Sequence, residues 1–154
     1  MSDLVIDEWL WSDLAGENTK AGQREAFQFL EAVYNKCDRI VTVRGSRFDQ
    51  KSLGVFKLND VIGILILKFF KDRFWFNSMK TVILEEDQLP QLPENLCKEV
   101  KPADQYLVRA FIACGASEIV TTDNPLKDAL IRNGIDCKHR CDFVPAYIVQ
   151  YGPK

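Results

Sequence analysis

Two short runs rich in β-branched residues, RIVTV at 39–43 and EIVTT at 118–122, constrain this chain more than any other feature. Each has the length and composition of a buried strand, and each follows an amphipathic stretch with helical spacing. Ala21 to Lys36 sets Ala26, Phe27, Leu30, Val33 and Tyr34 along one helical face, and Asp104 to Cys114 does the same with Leu107, Ala110, Phe111 and Cys114 before Gly115 stops it. Leu4 to Ile6 reads as a first short strand, KTVILEED (80–87) as a further one, and Ile135 to Lys138 as the last. A helix is expected to begin at Arg47, and a shorter one to run through Leu126, Ala129 and Leu130 to the stop at Asn133-Gly134. The stretch from Asp60 to Phe76 is open between a buried helix and strands, with its length and lack of proline favouring helix, and the segment holding Pro90, Pro93 and Pro102 reads as a connection. Strands alternating with helices predict an α/β fold of three layers, α/β/α, around a mostly parallel sheet joined by right-handed crossovers.

A chain of 154 residues suits one domain, so residues 1–154 are read as a single unit. Lys and Arg total 20 against 22 Asp and Glu, and the net charge of -2 supplies no global field to recruit a polyanion or an anionic membrane. Any nucleic-acid contact must therefore be local. The amino terminus, MSDLVIDEWLW, lacks a basic segment followed by an apolar core and cleavage site, which leads to the expectation of a cytoplasmic protein. The most apolar run, VIGILILKFF (61–70), is far shorter than the ~20 residues of a membrane span and is expected in the core. Five cysteines at scattered positions fit reduced thiols. CKHRC (137–141) holds the one histidine, has no second ligand pair at zinc-finger spacing, and reads as an edge strand and turn.

The carboxylates carry the functional signal. In a parallel sheet the carboxyl ends of the strands and the amino ends of the following helices share one edge, where ligands bind. Asp7 closes the first strand, Asp49 follows RIVTV at the start of a helix, Asp104 opens its helix, and Asp123 closes EIVTT. Each, alone, has an ordinary explanation as a helix cap contributing ~1 kcal/mol. Four on one edge have another, because gathered carboxylates repel unless protonated or bound to a metal. Hard oxygen ligands select Mg²⁺ or Mn²⁺, ions that keep several waters and bridge readily to phosphate. The chemistry implied is metal-assisted phosphodiester hydrolysis.

LVIDEWLW (4–11), RIVTVRGSRFDQKSL (39–53) and VKPADQYLVRAFIACGASEIVTTDNPL (100–126) resemble the ordered acidic motifs of PIN-domain ribonucleases, over nearly the whole chain. The resemblance implies a PIN-like fold, a metal-dependent ribonuclease activity, Asp7, Asp49, Asp104 and Asp123 as the catalytic acids, and Asp7, Asp104 and Asp123 as ligands of Mg²⁺ or Mn²⁺. Two departures stand out. Glu8 and Trp9 replace the small hydroxyl or amide residues usual after the first aspartate, and Asp49 stands where the family typically has glutamate. Glu25 and Glu31, on the amphipathic helix, are rivals for that second acid, with solvated helix positions as their ordinary reading.

Arg44, Arg47 and Lys51 flank Asp49 and are candidates to hold RNA phosphates, with Gly45 letting the backbone approach; the alternative is a basic surface turn. Trp9, Trp11, Phe48 and Trp75 are candidates to stack on unpaired bases. Core packing is favoured for Phe48 and Trp75, and a dimer face for Trp9 and Trp11. The leading expectation is a PIN-type ribonuclease, the toxin of a toxin-antitoxin pair with an antitoxin protein partner, or an RNA-processing enzyme. The alternatives are an inactive PIN-like scaffold that binds RNA or another protein, and a receiver-like α/β domain with an acidic Mg²⁺ pocket.

Overall fold

In the computed structural model, which describes residues 1–154, five parallel strands form one sheet in the order β3-β2-β1-β4-β5. They are β1 (Asp3–Ile6), β2 (Arg39–Val43), β3 (Thr81–Leu84), β4 (Glu118–Thr121) and β5 (Cys137–His139). The register pairs Val5 with Val41 on one side and with Ile119 on the other, so β1 is the central strand. The chain first builds outward through β2 and β3, then returns across β1 to add β4 and β5. That reversal opens a crevice at the carboxyl ends of β1 and β4.

Alternation along the strands builds the two faces. Leu4, Ile6, Ile40 and Val120 point into a core shared with α1 (Trp9–Leu14), α2 (Lys20–Lys36), α3 (Arg47–Phe56), α4 (Val61–Phe70) and Val144 and Tyr147 of α8 (Arg140–Tyr151). Val5, Val41, Val43 and Ile119 point the other way, onto α5 (Glu94–Glu99), α6 (Gln105–Cys114) and α7 (Asn124–Arg132). The architecture is three-layered α/β/α. Gly115 ends α6 at φ 63°, in the left-handed region that glycine adopts without a Cβ penalty.

Several expectations change. Trp9 and Trp11 do not form an exposed face: they lie in α1, a six-residue helix, and are 6% and 2% exposed. The Trp9 indole N–H donates to the Val120 carbonyl at 3.0 Å, and Trp11 packs edge-on against Phe70. Neither can stack on a base. Phe48 is buried as expected, whereas Trp75 is exposed and stacks on Phe56 with ring centroids 4.6 Å apart. The run 61–70 is helical but not buried. Gly63, Ile66 and Phe70 of α4 are buried and Leu67 and Phe69 half-buried, while Val61, Ile62, Ile64 and Leu65 face outward. After α4 the helix widens into a π turn at Lys71–Trp75. The proline-bearing connection carries the helix α5, and CKHRC divides between β5 and the start of α8. No helix is long and apolar enough to cross a membrane.

Candidate active site

A cleft of about 1180 Å³ opens at the crevice beside the carboxyl ends of β1 and β4. It is lined by six acids, Asp7, Glu8, Asp13, Glu25, Asp104 and Asp123, and four bases, Arg47, Lys51, Lys101 and Arg140.

Asp7 continues the sheet by one residue, its N–H donating to the Val120 carbonyl at 3.0 Å. Its carboxylate accepts from the Thr121 hydroxyl and from the Glu8 N–H, both at 2.7 Å, which fixes its orientation at the mouth of the strand. Asp123 caps α7, one oxygen accepting from the Leu126 N–H at 2.9 Å; Pro125 near the helix start suits the missing donor there. Asp104 follows a short 3₁₀ turn, Pro102–Asp104, and stands at the amino end of α6 without capping it. Its carboxyl is held above the usual aspartate range, first by burial and then by the charges of Asp7 and Asp123. The charges of Asp7 and Asp123, both distant in sequence, thus bear on Asp104.

The ion pairs sort the remaining charges. Arg140 joins Asp13 and Glu25, each at 2.8 Å, and Arg47 joins Glu8 at 2.9 Å. Lys51 reaches Glu17 at 3.2 Å. Asp7, Asp104 and Asp123 have no basic partner within 4.0 Å. The cleft therefore pairs its other acids and leaves three carboxylates without an ion-pair partner.

Asp49 is not part of that group. It sits in the first turn of α3, where its carboxylate accepts from the Gly45 N–H at 2.8 Å, and it lines a different pocket of about 260 Å³ with Trp11, Phe48, Phe56 and Trp75. The reason is the face it takes on α3: Arg47, Gln50 and Lys51 of the same helix line the cleft, while Asp49 turns back onto the Gly45 N–H and, with Phe48 and Ser52, lines the second pocket. Arg44 lines that same second pocket and pairs with Glu85 at 2.7 Å, so it is not at the cleft either. Arg47 and Lys51, one turn apart on α3, do line the cleft. Of the rival acids, Glu25 reaches the cleft already paired with Arg140, and Glu31 does not line it.

The fourth acid near the aspartates is Glu8. One of its oxygens meets Arg47 and the other accepts from the Tyr106 hydroxyl at 3.3 Å. Burial, reinforced by Asp7, raises its pKa to about 7. In the sequence Glu8 stands out only as a departure from the PIN-domain motif that the residues around Asp7 resemble. Its partners Arg47 and Tyr106 arrive from α3 and α6, and nothing local to Asp7 announces them.

The donor set suits a hard divalent cation, since unpaired carboxylate oxygens at a strand-end crevice are what Mg²⁺ or Mn²⁺ takes. As the side chains stand, no group of three His, Cys, Asp or Glu is arranged to hold an ion. The expected convergence of Asp7, Asp104 and Asp123 on a shared ion is thus not reached by their side chains. Asp7 is pinned by its two hydrogen bonds, whereas Asp104 accepts no hydrogen bond and is the aspartate freest to swing inward. Comparison with family models, with curated proteins and with solved structures finds no match for this chain.

Proposed function

We propose that the protein is a metal-dependent ribonuclease of PIN type that hydrolyses RNA phosphodiester bonds in the β1–β4 cleft. The observation that carries this reading is the set of three aspartates without cationic partners, Asp7, Asp104 and Asp123, at the switch point of a parallel sheet. Asp7, Asp104 and Asp123 would hold Mg²⁺ or Mn²⁺, and the ion supplies an activated water and charge neutralisation at the phosphate. Thr121 orients Asp7 through its hydroxyl. Arg47 and Lys101 flank the acids and lower the cost of bringing a phosphate beside them, as their opposing effect on Asp104 reflects. Lys51, on the same face of α3 as Arg47, extends the basic rim along which a single strand would lie.

A second reading has its own support. The Arg47–Glu8 pair and the lack of a metal-ready arrangement suit a PIN-like scaffold that binds RNA or a protein, such as an antitoxin, without cleaving. One assay separates the two. Single-stranded and structured RNA are incubated with the protein in Mg²⁺ or Mn²⁺, with and without chelator. Cleavage that requires the metal and is lost in Asp104→Asn supports the nuclease. RNA retained intact at all metal concentrations supports the scaffold, and cleavage that persists in chelator rules out the metal-dependent reaction.

A further inference from the structure

Trp9 and Trp11 both lie buried in α1, and only one of them has its indole satisfied. The Trp9 N–H donates to the Val120 carbonyl, whereas the Trp11 N–H is buried without a hydrogen-bond partner in the chain, the one side-chain nitrogen so placed. A buried donor left unmet costs free energy, and in a native protein it calls for an explanation. Trp11 lines the second pocket, the cavity of about 260 Å³ between α3 and the β2–β3 side of the sheet. The floor of that pocket is apolar, since Trp11, Ile40 and Phe48 are each no more than 2% exposed. Phe56, Phe70 and Trp75 add three more aromatic rings to its walls. Its polar groups are already engaged: Arg44 pairs with Glu85 at 2.7 Å, Asp49 accepts from the Gly45 N–H at 2.8 Å, and the Ser52 and Thr81 hydroxyls donate to the Asp49 and Phe74 carbonyls. Arg44 and Asp49 carry opposite signs, so the pocket favours neither an anion nor a cation. Its volume falls just below the ~300–1,000 Å³ of sites that take drug-sized ligands, which leaves room for one or two fused rings.

We propose that this pocket binds a small, uncharged, planar heteroaromatic molecule that accepts a hydrogen bond from the Trp11 indole N–H. Contacts with the aromatic walls supply the affinity, and the acceptor supplies the selectivity. The N–H is closed off while the rings stand as they are, so a ligand reaches it as a ring gives way. Phe56 and Trp75, stacked on each other with Trp75 40% exposed, are the aromatic pair of the pocket nearest solvent. The site is separate from the β1–β4 cleft, although α3 walls both: Arg47, Gln50 and Lys51 face the cleft, and Phe48, Asp49, Ser52 and Leu53 face the pocket. It does not depend on what the cleft catalyses.

Quinoline and naphthalene have nearly the same shape, and only quinoline carries an acceptor. Each is titrated into the intact ¹⁵N-labelled chain while the three tryptophan indole N–H resonances are followed. Quinoline is expected to move the Trp11 resonance downfield and to bind at least about ten-fold more tightly than naphthalene, the size of one hydrogen bond to an otherwise unmet donor. The Trp9 resonance, held on Val120, should stay in place. Trp11→Phe keeps an aromatic ring and removes the donor, so it should abolish the preference for quinoline while naphthalene still binds. Where that variant does not fold, the matched pair in the wild-type chain still decides, with the Trp11 resonance assigned through space from the Phe48 and Phe70 rings. Equal affinity for the two compounds, binding of neither, or a Trp11 resonance indifferent to quinoline would overturn the proposal.

Discussion

Asp104, Asp123 and Asp49 are chemically the same side chain placed in three different circumstances, and substitution should tell them apart. Asp104 caps nothing and its pKa is raised by burial and then by Asp7 and Asp123, so Asp104→Asn is expected to leave the metal-free melting point unchanged or higher. Cleavage should fall by more than about a hundred-fold, since metal-site changes even outside the direct ligands reach that size. Asp123→Asn keeps an oxygen for the Leu126 N–H and should behave alike in chelator. Millimolar Mg²⁺ should then raise the wild-type midpoint and leave that of Asp123→Asn nearly unmoved, because only a site with its full ligand set gains stability by mass action. Asp49→Ala reverses the pattern: about 1 kcal/mol of stability is lost with the Gly45 contact, and cleavage persists. Thermal melts with chelator and with Mg²⁺, beside the cleavage assay, check all three. The sequence made Asp7, Asp104 and Asp123 legible because a strand end or helix start fixes where a residue lies along the sheet edge. It could not rank Asp49 below Glu8, because which face of α3 meets the cleft, and the arrival of Arg47 and Tyr106 at Glu8, depend on tertiary packing that no local pattern records.

The elements that were legible are those with two-sided signals. The bounds of β2 coincide with RIVTV, and α2 begins within a residue of its expected start, since a β-branched run or a three-turn apolar face leaves little freedom. The helix α1 was hidden because Trp9, Leu10, Trp11, Asp13 and Leu14 are all buried, which erases periodicity in a six-residue helix. α4 departs from expectation in the opposite sense. An unbroken apolar run reports affinity for a nonpolar surface, and periodicity cannot say whether that surface belongs to the same chain. At β4, Glu118 gives a prediction of its own. One of its carboxyl oxygens is buried without a hydrogen-bond partner, and burial, opposed by Lys138, raises its pKa. A carboxyl whose folded pKa is raised binds its proton more tightly in the folded chain, so its stabilising effect is full below the unfolded value. It fades as pH rises through the folded value. Glu118→Met removes the charge and the orphaned oxygen at similar volume. The variant is expected to melt above wild type at neutral pH, with the gap narrowing toward about pH 4. A gap that is constant with pH would assign the effect to packing instead.

Charge at the scale of the whole molecule limits how the proposed RNA substrate could be held. With a net charge of -2 there is no long-range attraction to exploit, and the cations of the cleft are largely spoken for: Arg47 by Glu8, Arg140 by Asp13 and Glu25, Lys51 by Glu17. Lys101 alone among them has no ion-pair partner, and it sits three residues before Asp104. A cation already paired releases fewer counterions on meeting a phosphate, because its neutralising partner must first be displaced. Binding of a single-stranded RNA should therefore show a shallow salt dependence, a slope of about -1.5 to -3 in log K against log salt, as for two to four phosphates at ~0.7 each. Lys101→Gln should reduce that slope by about 0.7. Lys51→Gln should reduce it less, since Glu17 is freed at the same time. Arg44→Gln should leave the slope alone, because Arg44 lies at the second pocket and is paired with Glu85. Fluorescence anisotropy across a KCl series, with chelator present to halt cleavage, reads each slope directly. Sensitivity to Arg44 with indifference to Lys101 would move the RNA from the β1–β4 cleft to the face of β2 and α3, and the nuclease reading would lose its substrate path.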